Sequence, residues 1–257
     1  MSASADSWPQ SVWLLRHGES AGNVARVEAE RAGLHTISIL EREIDVPLSD
    51  LGERQSRALG RWLAETPERL PSVVLSSPYA RARKTAELVI AESTLAQRNV
   101  SYLVDERLRE KEFGSLNRLT KQGITAQFPQ EAERYAQMGK FYYRPPGGES
   151  WCDVILRLRS VLHHIQLRYA GERVLIVAHQ VIVLCFRYLL EDLDEAQLLA
   201  IDRGGDVANC GLTSFELGQA EDGRVKLRLE RYNVVTPLVR AGEPVTTKPD
   251  DVANENG

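Results

Sequence analysis

Short apolar runs, separated by stretches of helical spacing, organise this chain. Residues 12–16 (VWLLR), 73–76 (VVLS), 102–104 and 173–178 (RVLIVA) are such runs, and they predict strands, 12–16 and 173–178 buried ones. Between them the pattern turns helical. Ser49 predicts an N-cap for a helix to about Glu65, with Leu51, Leu59, Trp62 and Leu63 as its apolar set. Pro78 predicts a helix start running to about Glu92, and Ser150 a cap for a long helix to about Tyr169. Another helix opens at His179. Alternation returns in 212–217 and 225–232, which predict a hairpin turning near Asp222-Gly223.

Two stretches resist this reading. Residues 24–47 are charged, with little period, and end in Val46-Pro47; they read as a long excursion between strand and helix. Residues 106–148 read as irregular or as short helices broken at Gly114, Gly123, Pro129 and the PPGG of 145–148. The parts 24–47 and 111–148 are expected to be lid-like. Residues 1–10 are polar and expected to fray; after Pro237 the composition is tail-like, with about 240–257 expected to be flexible. The whole is read as one domain, residues 1–257. Strands alternating with helices predict an α/β fold, a three-layer sandwich around a mostly parallel central sheet. Such sheets bind ligands beyond the carboxyl ends of their strands. Arg16-His17 and His179 both fall at such ends, which suggests one shared site.

Composition narrows the partners. A net charge of −4 argues against a general nucleic-acid partner, though not against a locally basic pocket. The three cysteines, Cys152, Cys185 and Cys210, are odd in number and lack CxxC or metal spacing. They read as buried thiols of a reduced, cytoplasmic protein. The opening MSASADSWPQ lacks the basic start and apolar run of a signal peptide. No stretch is apolar and long enough for a membrane span, so no membrane partner is expected. A homodimer is allowed.

Arg16-His17-Gly18-Glu19 alone is weak evidence, because RHG should occur by chance in roughly 3 of 100 such chains. Its place directly after an apolar strand adds weight, and glycine lets backbone approach a ligand closely. Three further motifs follow in order: SSPYARARKTAE (76–87), LREKEFG (108–114) and VAHQ (177–180). With LLRHGES (14–20), they resemble the signatures of the histidine phosphatase superfamily, also called phosphoglycerate mutase-like, over about residues 12–217. The resemblance implies a phosphoglycerate mutase-like fold. It implies His17 as nucleophile, Arg16 and Arg81 as phosphate ligands, Glu110 as proton donor and His179 as second histidine, with no metal and no cofactor. The chemistry is coherent. Guanidinium groups suit phosphate, an imidazole nitrogen can form a phosphohistidine, and a carboxylic acid can protonate the leaving alkoxide.

Other residues carry competing readings. Gly18, Glu19, Ser20 and Asn23 either line a substrate pocket or, for the polar ones, cap the loop. Glu112 competes with Glu110, and motif register favours Glu110. Arg83 reads as an ion-pairing residue, and His163 and His164 as surface residues. Phe141, Tyr142 and Tyr143 either line a cleft or pack a loop. Arg26, Arg31 and His35 are candidates for a lid. PPGGES (145–150) and the short interval from Glu110 to His179 resemble the phosphatase branch rather than the mutases. KFYYRPPGGES and His179-Gln180 partially resemble the fructose-2,6-bisphosphatase domain, which implies substrate-binding roles for Lys140 and Gln180. Ala136 and Leu184, however, stand where that pocket has arginines, and Trp151 where it has a tyrosine. The reading is therefore metal-independent hydrolysis of a small phosphorylated metabolite through a phosphohistidine. The alternatives are a cofactor-dependent mutase and a non-catalytic phospho-ligand binding module; the full set His17, Arg81, Glu110 and His179 argues against the second.

Overall fold

The computed structural model describes residues 8–219 and 223–247. Six strands form one sheet: β1 (Ser11–Arg16), β2 (Val73–Ser76), β3 (Ser101–Val104), β4 (Arg173–Ala178), β5 (Leu212–Gln219) and β6 (Val225–Val234), in the order β3-β2-β4-β1-β5-β6. The first four of that order run parallel, and β5 and β6 are antiparallel. The helices are α1 (Ala21–Arg31), α2 (Asp50–Ala64), α3 (Ala80–Glu92), α4 (Lys121–Gln127), α5 (Pro129–Tyr142), α6 (Trp151–Arg168), α7 (Gln180–Leu190), α8 (Glu195–Arg203) and α9 (Thr236–Arg240). None of the helices described is long and apolar enough to cross a membrane.

The alternation of strand side chains divides the core into two layers. Val12, Leu14, Val73, Leu75, Val174 and Ile176 pack with residues of α6 and α7 on one face. Trp13, Leu15, Val74, Leu175 and Val177 pack with residues of α2, α3 and α9 on the other. Each fully buried Leu or Val contributes about 1.5–3 kcal/mol. That pattern is the expected three-layer α/β sandwich. The strand expected at 102–104 forms as β3, but at the sheet edge and exposed along its length.

Several elements differ from expectation. Residues 21–31, largely inside the excursion assigned to 24–47, are the helix α1, whose signal lies in its cap. Ser20 accepts from the Asn23 amide while the Asn23 side chain accepts from the Ser20 amide. Asparagine replaces the usual Glu or Gln of that box, and the helix has only two large apolar residues, Val24 and Val27, so periodicity does not betray it. α3 begins at Ala80 with Tyr79 as N-cap, two residues after the proline taken as its start. α8, capped by Asp194 and Gln197, has no counterpart in the sequence reading.

The chain ends also depart from it. Residues 1–7 lie outside the described residues. Residues 8–10 are hydrogen-bonded: Trp8 O accepts from Gly171 N, and Gln10 N donates to Glu172 O. After Pro237 the chain is not a plain tail but continues α9. Gln55 then donates to Pro244 O at 2.9 Å and to Thr246 Oγ1 at 3.2 Å. Residues 248–257 lie outside the described residues, as does Asp222 of the expected hairpin turn, whereas Gly223 is described and has φ +80°.

Candidate active site

The parallel register brings three strand ends together. Arg16 pairs with Ala178, and Ser76 with Val177, so β1, β4 and β2 end side by side. The next residues are His17, His179 and Ser77, each 0% exposed. Their backbones continue the ladder: His17 N donates to Ala178 O at 3.0 Å and Ser77 N to Val177 O at 2.9 Å. The His17 and His179 rings meet edge-on, 5.1 Å between centroids. His179 Nε2 and Ser77 Oγ lie 2.8 Å apart.

The protonation pattern of His17 follows from its partners. Nδ1 lies 2.7 Å from Gly18 O. A carbonyl can only accept, so Nδ1 carries the hydrogen. Nε2 then presents its lone pair, and Arg81 Nε donates to it at 3.3 Å. Arg81 sits in the first turn of α3, so its backbone follows directly from the end of β2. Its Nη1 and Nη2 donate to Glu43 O at 2.9 Å and Glu43 Oε1 at 3.0 Å. An anionic group is thus already seated on this guanidinium. Arg16, fully buried, anchors Nη1 on the carbonyl of Val207.

The two candidate acids separate cleanly. Glu110 is 3% exposed, accepts from Lys111 N at 2.8 Å through Oε1, and places Oε2 3.9 Å from His179 Nδ1. Glu112 instead accepts from the Tyr79 hydroxyl at 3.1 Å. Burial, reinforced by the Glu112 charge, pushes the Tyr79 phenol well above its ordinary value and keeps it a donor. Burial likewise pushes the Cys210 thiol up to about 12, so it stays protonated.

Gly18 is a packing requirement. A Cβ there would lie 2.4 Å from Gly52 O of α2. The Gly18 amide donates to Thr85 Oγ1 at 3.0 Å, tying the loop to α3. Glu19 faces α2: its amide donates to Gln55 Oε1 at 2.9 Å, and its carboxylate accepts from Ser49 Oγ at 2.8 Å. Ser20 and Asn23 cap α1 and also line a pocket shared with Arg81, Glu110, Lys111 and Glu112.

Lys140 and Gln180 do not line that pocket. Lys140 Nζ is 2.7 Å from Asp202 Oδ2, and Gln180 Nε2 donates to Asp206 Oδ1 at 2.7 Å. Phe141 and Tyr143 are packed in hydrophobic clusters, while Tyr142 is exposed. Arg83, His163, Arg31 and His35 are exposed, and His164 is half-buried. Ser77, Tyr79, Glu43 and Asn209 were not singled out by sequence. Ser77 and Tyr79 fall within SSPYAR and could have been found there. Asn209, which donates to His17 O at 3.2 Å, is 192 residues away in sequence and has no local signal.

The roof over the site joins the two irregular stretches. Ile37 N donates to Arg118 O at 2.8 Å, and Thr120 N to His35 O at 3.0 Å. Arg118, at φ 64°, donates to Ile39 O at 2.8 Å and also to Glu41 O.

The chain matches the family model described as "Histidine phosphatase superfamily (branch 1)" over residues 12–230. It is 28% identical over 226 residues to the 2,3-bisphosphoglycerate-dependent phosphoglycerate mutase 2 of Gloeobacter violaceus, covering 87% of this chain and 93% of the relative. It is 29% identical over 195 residues to the 6-phosphofructo-2-kinase/fructose-2,6-bisphosphatase of Caenorhabditis elegans, covering 76% of this chain and 37% of that one. Among solved structures, a mycobacterial glucosyl-3-phosphoglycerate phosphatase in complex with inorganic phosphate superposes with a TM-score of 0.66. It is 25% identical, with 89% of this chain and 99% of that one covered.

Proposed function

We propose, for a chain that belongs to the histidine phosphatase superfamily, that this site is hydrolytic and acts as a metal-independent phosphatase of small anionic phosphomonoesters. The observation that carries the reading is the His17 tautomer, held by Gly18 O on one side and met by Arg81 Nε on the other. It gives the imidazole a lone pair directed at the guanidinium where a phosphate would sit.

In this reading Arg16 and Arg81 hold the phosphoryl oxygens, a phosphoryl oxygen replacing the Glu43 carboxylate on Arg81. His17 Nε2 attacks phosphorus as the ester P–O bond breaks. Glu110 gives its proton to the departing alkoxide. Water then attacks the phosphohistidine, Glu110 takes its proton, and inorganic phosphate leaves. His179, beside Ser77 and Glu110, faces the transferring group together with the N-terminus of α7, which favours anions. The cationic groups stabilise charge during transfer, the larger part of catalysis in phosphoryl chemistry. Glu110 rather than Glu112 is the acid, because Glu112 is bonded to Tyr79.

The mutase reading draws on the names of relatives such as the Gloeobacter enzyme. A phosphorylated hydroxy acid, incubated with the protein under exhaustive chelation, separates the two. Hydrolysis gives inorganic phosphate faster than any isomer. Predominant isomer would assign the chain to the mutases, and activity that vanishes with chelator and returns with metal would overturn the mechanism.

A further inference from the structure

Helix α1 puts Ser20, Asn23 and Arg26 on one face by their spacing of three, and all three line the pocket in front of Arg81 and Glu110. Arg26 is 8% exposed, and its Nη1 is buried without a hydrogen-bond partner. Such an arginine is costly, since a buried charge needs a partner. The pocket's own carboxylates have other engagements. Glu43 is on Arg81, Glu112 takes the Tyr79 hydroxyl, and Glu110 accepts from Lys111 N. Arg118, which also lines the pocket, is spent on carbonyls. Ile37, Ile39 and Val46 add apolar surface to the same lining.

We propose that Arg26 is a specificity-determining residue, which binds a second oxyanion, carboxylate or phosphate, of a compact phosphomonoester whose reacting phosphoryl group lies on Arg81 and His17. This rests on the reading of the site as a phosphatase. Lys111, 6% exposed and with Nζ 4.2 Å over the Phe113 ring, adds a second positive charge to the same pocket. The apolar lining residues Ile37, Ile39 and Val46 would pack on the carbon skeleton between the two anions. The substrate class is therefore a short doubly anionic ester, and not an extended or singly charged one.

The test compares the parent with Arg26→Met and Arg26→Lys on three esters: a phosphorylated hydroxy acid, a sugar bisphosphate and 4-nitrophenyl phosphate. Arg26→Met is expected to raise KM for one or both doubly anionic esters about 10–100-fold more than for the nitrophenyl ester, as for a lost charged hydrogen bond. Which of the two esters responds assigns the second group as carboxylate or phosphate. Arg26→Lys should recover part of the loss. Thermal melting of Arg26→Met should match or exceed the parent, because an unpartnered buried nitrogen is removed. Equal losses on all three esters, or a lowered Tm, would overturn the proposal in favour of a structural arginine. Calorimetry separates this from failure of the phosphatase reading. Even without turnover, the doubly anionic ligand should bind the parent more tightly than inorganic phosphate and lose that advantage in Arg26→Met. Equal binding of the two by the parent would overturn the subsite.

Discussion

The floor of the site consists of Arg16, His17, Ser77 and His179 at the ends of three adjacent strands, all without exposed surface. The roof is made of the stretches 24–47 and 111–120, and there the Glu43 side chain is 37% exposed. The floor is set by a parallel ladder, so its side chains cannot drift independently: moving His17 would break the hydrogen bond to Ala178. The roof is held by a few separate ties, such as Arg118 to Ile39 O, each worth about 1 kcal/mol. Arg118 adopts a left-handed φ, which itself costs about 1–2 kcal/mol. One architecture suits fixed chemistry; the other suits admission and selection of substrate. His17 is wholly buried and Glu43 covers Arg81, so on the proposed reading an ester must displace Glu43 to reach His17.

Breaking the floor should have the largest effect. His17→Ala is expected to lower turnover by more than about 10⁴-fold with circular dichroism unchanged, since it removes the nucleophile. Glu110→Gln is expected to slow the phosphorylation step by about 10²–10⁴-fold on an alkyl phosphate and far less on a nitrophenyl phosphate, whose leaving group needs no proton. Glu112→Gln, read by the same stopped-time assays, should show no such leaving-group contrast; if it does, the acid is misassigned by two residues. Gly18→Ala drives a Cβ to 2.4 Å from Gly52 O, and urea unfolding should show a loss of about 1–3 kcal/mol.

The roof should respond more gently, in KM rather than kcat. Glu43→Gln removes the anion that competes for Arg81. Inorganic phosphate should then inhibit at concentrations up to about fivefold lower, consistent with about 1 kcal/mol for a part-exposed ion pair. Unchanged inhibition would mean that Glu43 does not compete with phosphate. Arg118→Ala should shift KM by a few-fold and leave kcat nearly alone, following the size of one hydrogen bond.

The same division explains what could be read from sequence. β2 and β4 were legible to the residue, and β1 nearly so, because apolar runs of strand length have few other meanings. His17, Arg81, Glu110 and His179 were legible because each lies within a few residues of such an element, inside a recognisable motif. The roof was not. α1 has only two large apolar residues, its capping box uses asparagine, and the stretch 35–37 after it is tied to residues about 80 positions on. Lys140 and Gln180 illustrate what local sequence does not show. The sequence around them resembles a bisphosphatase pocket, while Asp202 and Asp206, from elsewhere in the chain, engage both side chains. Asn209 on the His17 carbonyl was invisible for the same reason.

The central claim is that the Nε2 of His17, held by Gly18 O and Arg81, carries the phosphoryl group. It is tested most directly by rapid quench of Glu110→Gln with 4-nitrophenyl phosphate, followed by peptide mass spectrometry under alkaline conditions. The expected result is a burst of nitrophenolate approaching one per active site, with a phosphoryl group on His17 that is absent in His17→Ala. A phosphoryl group on another residue, or hydrolysis by the parent with no phosphohistidine formed, would contradict it.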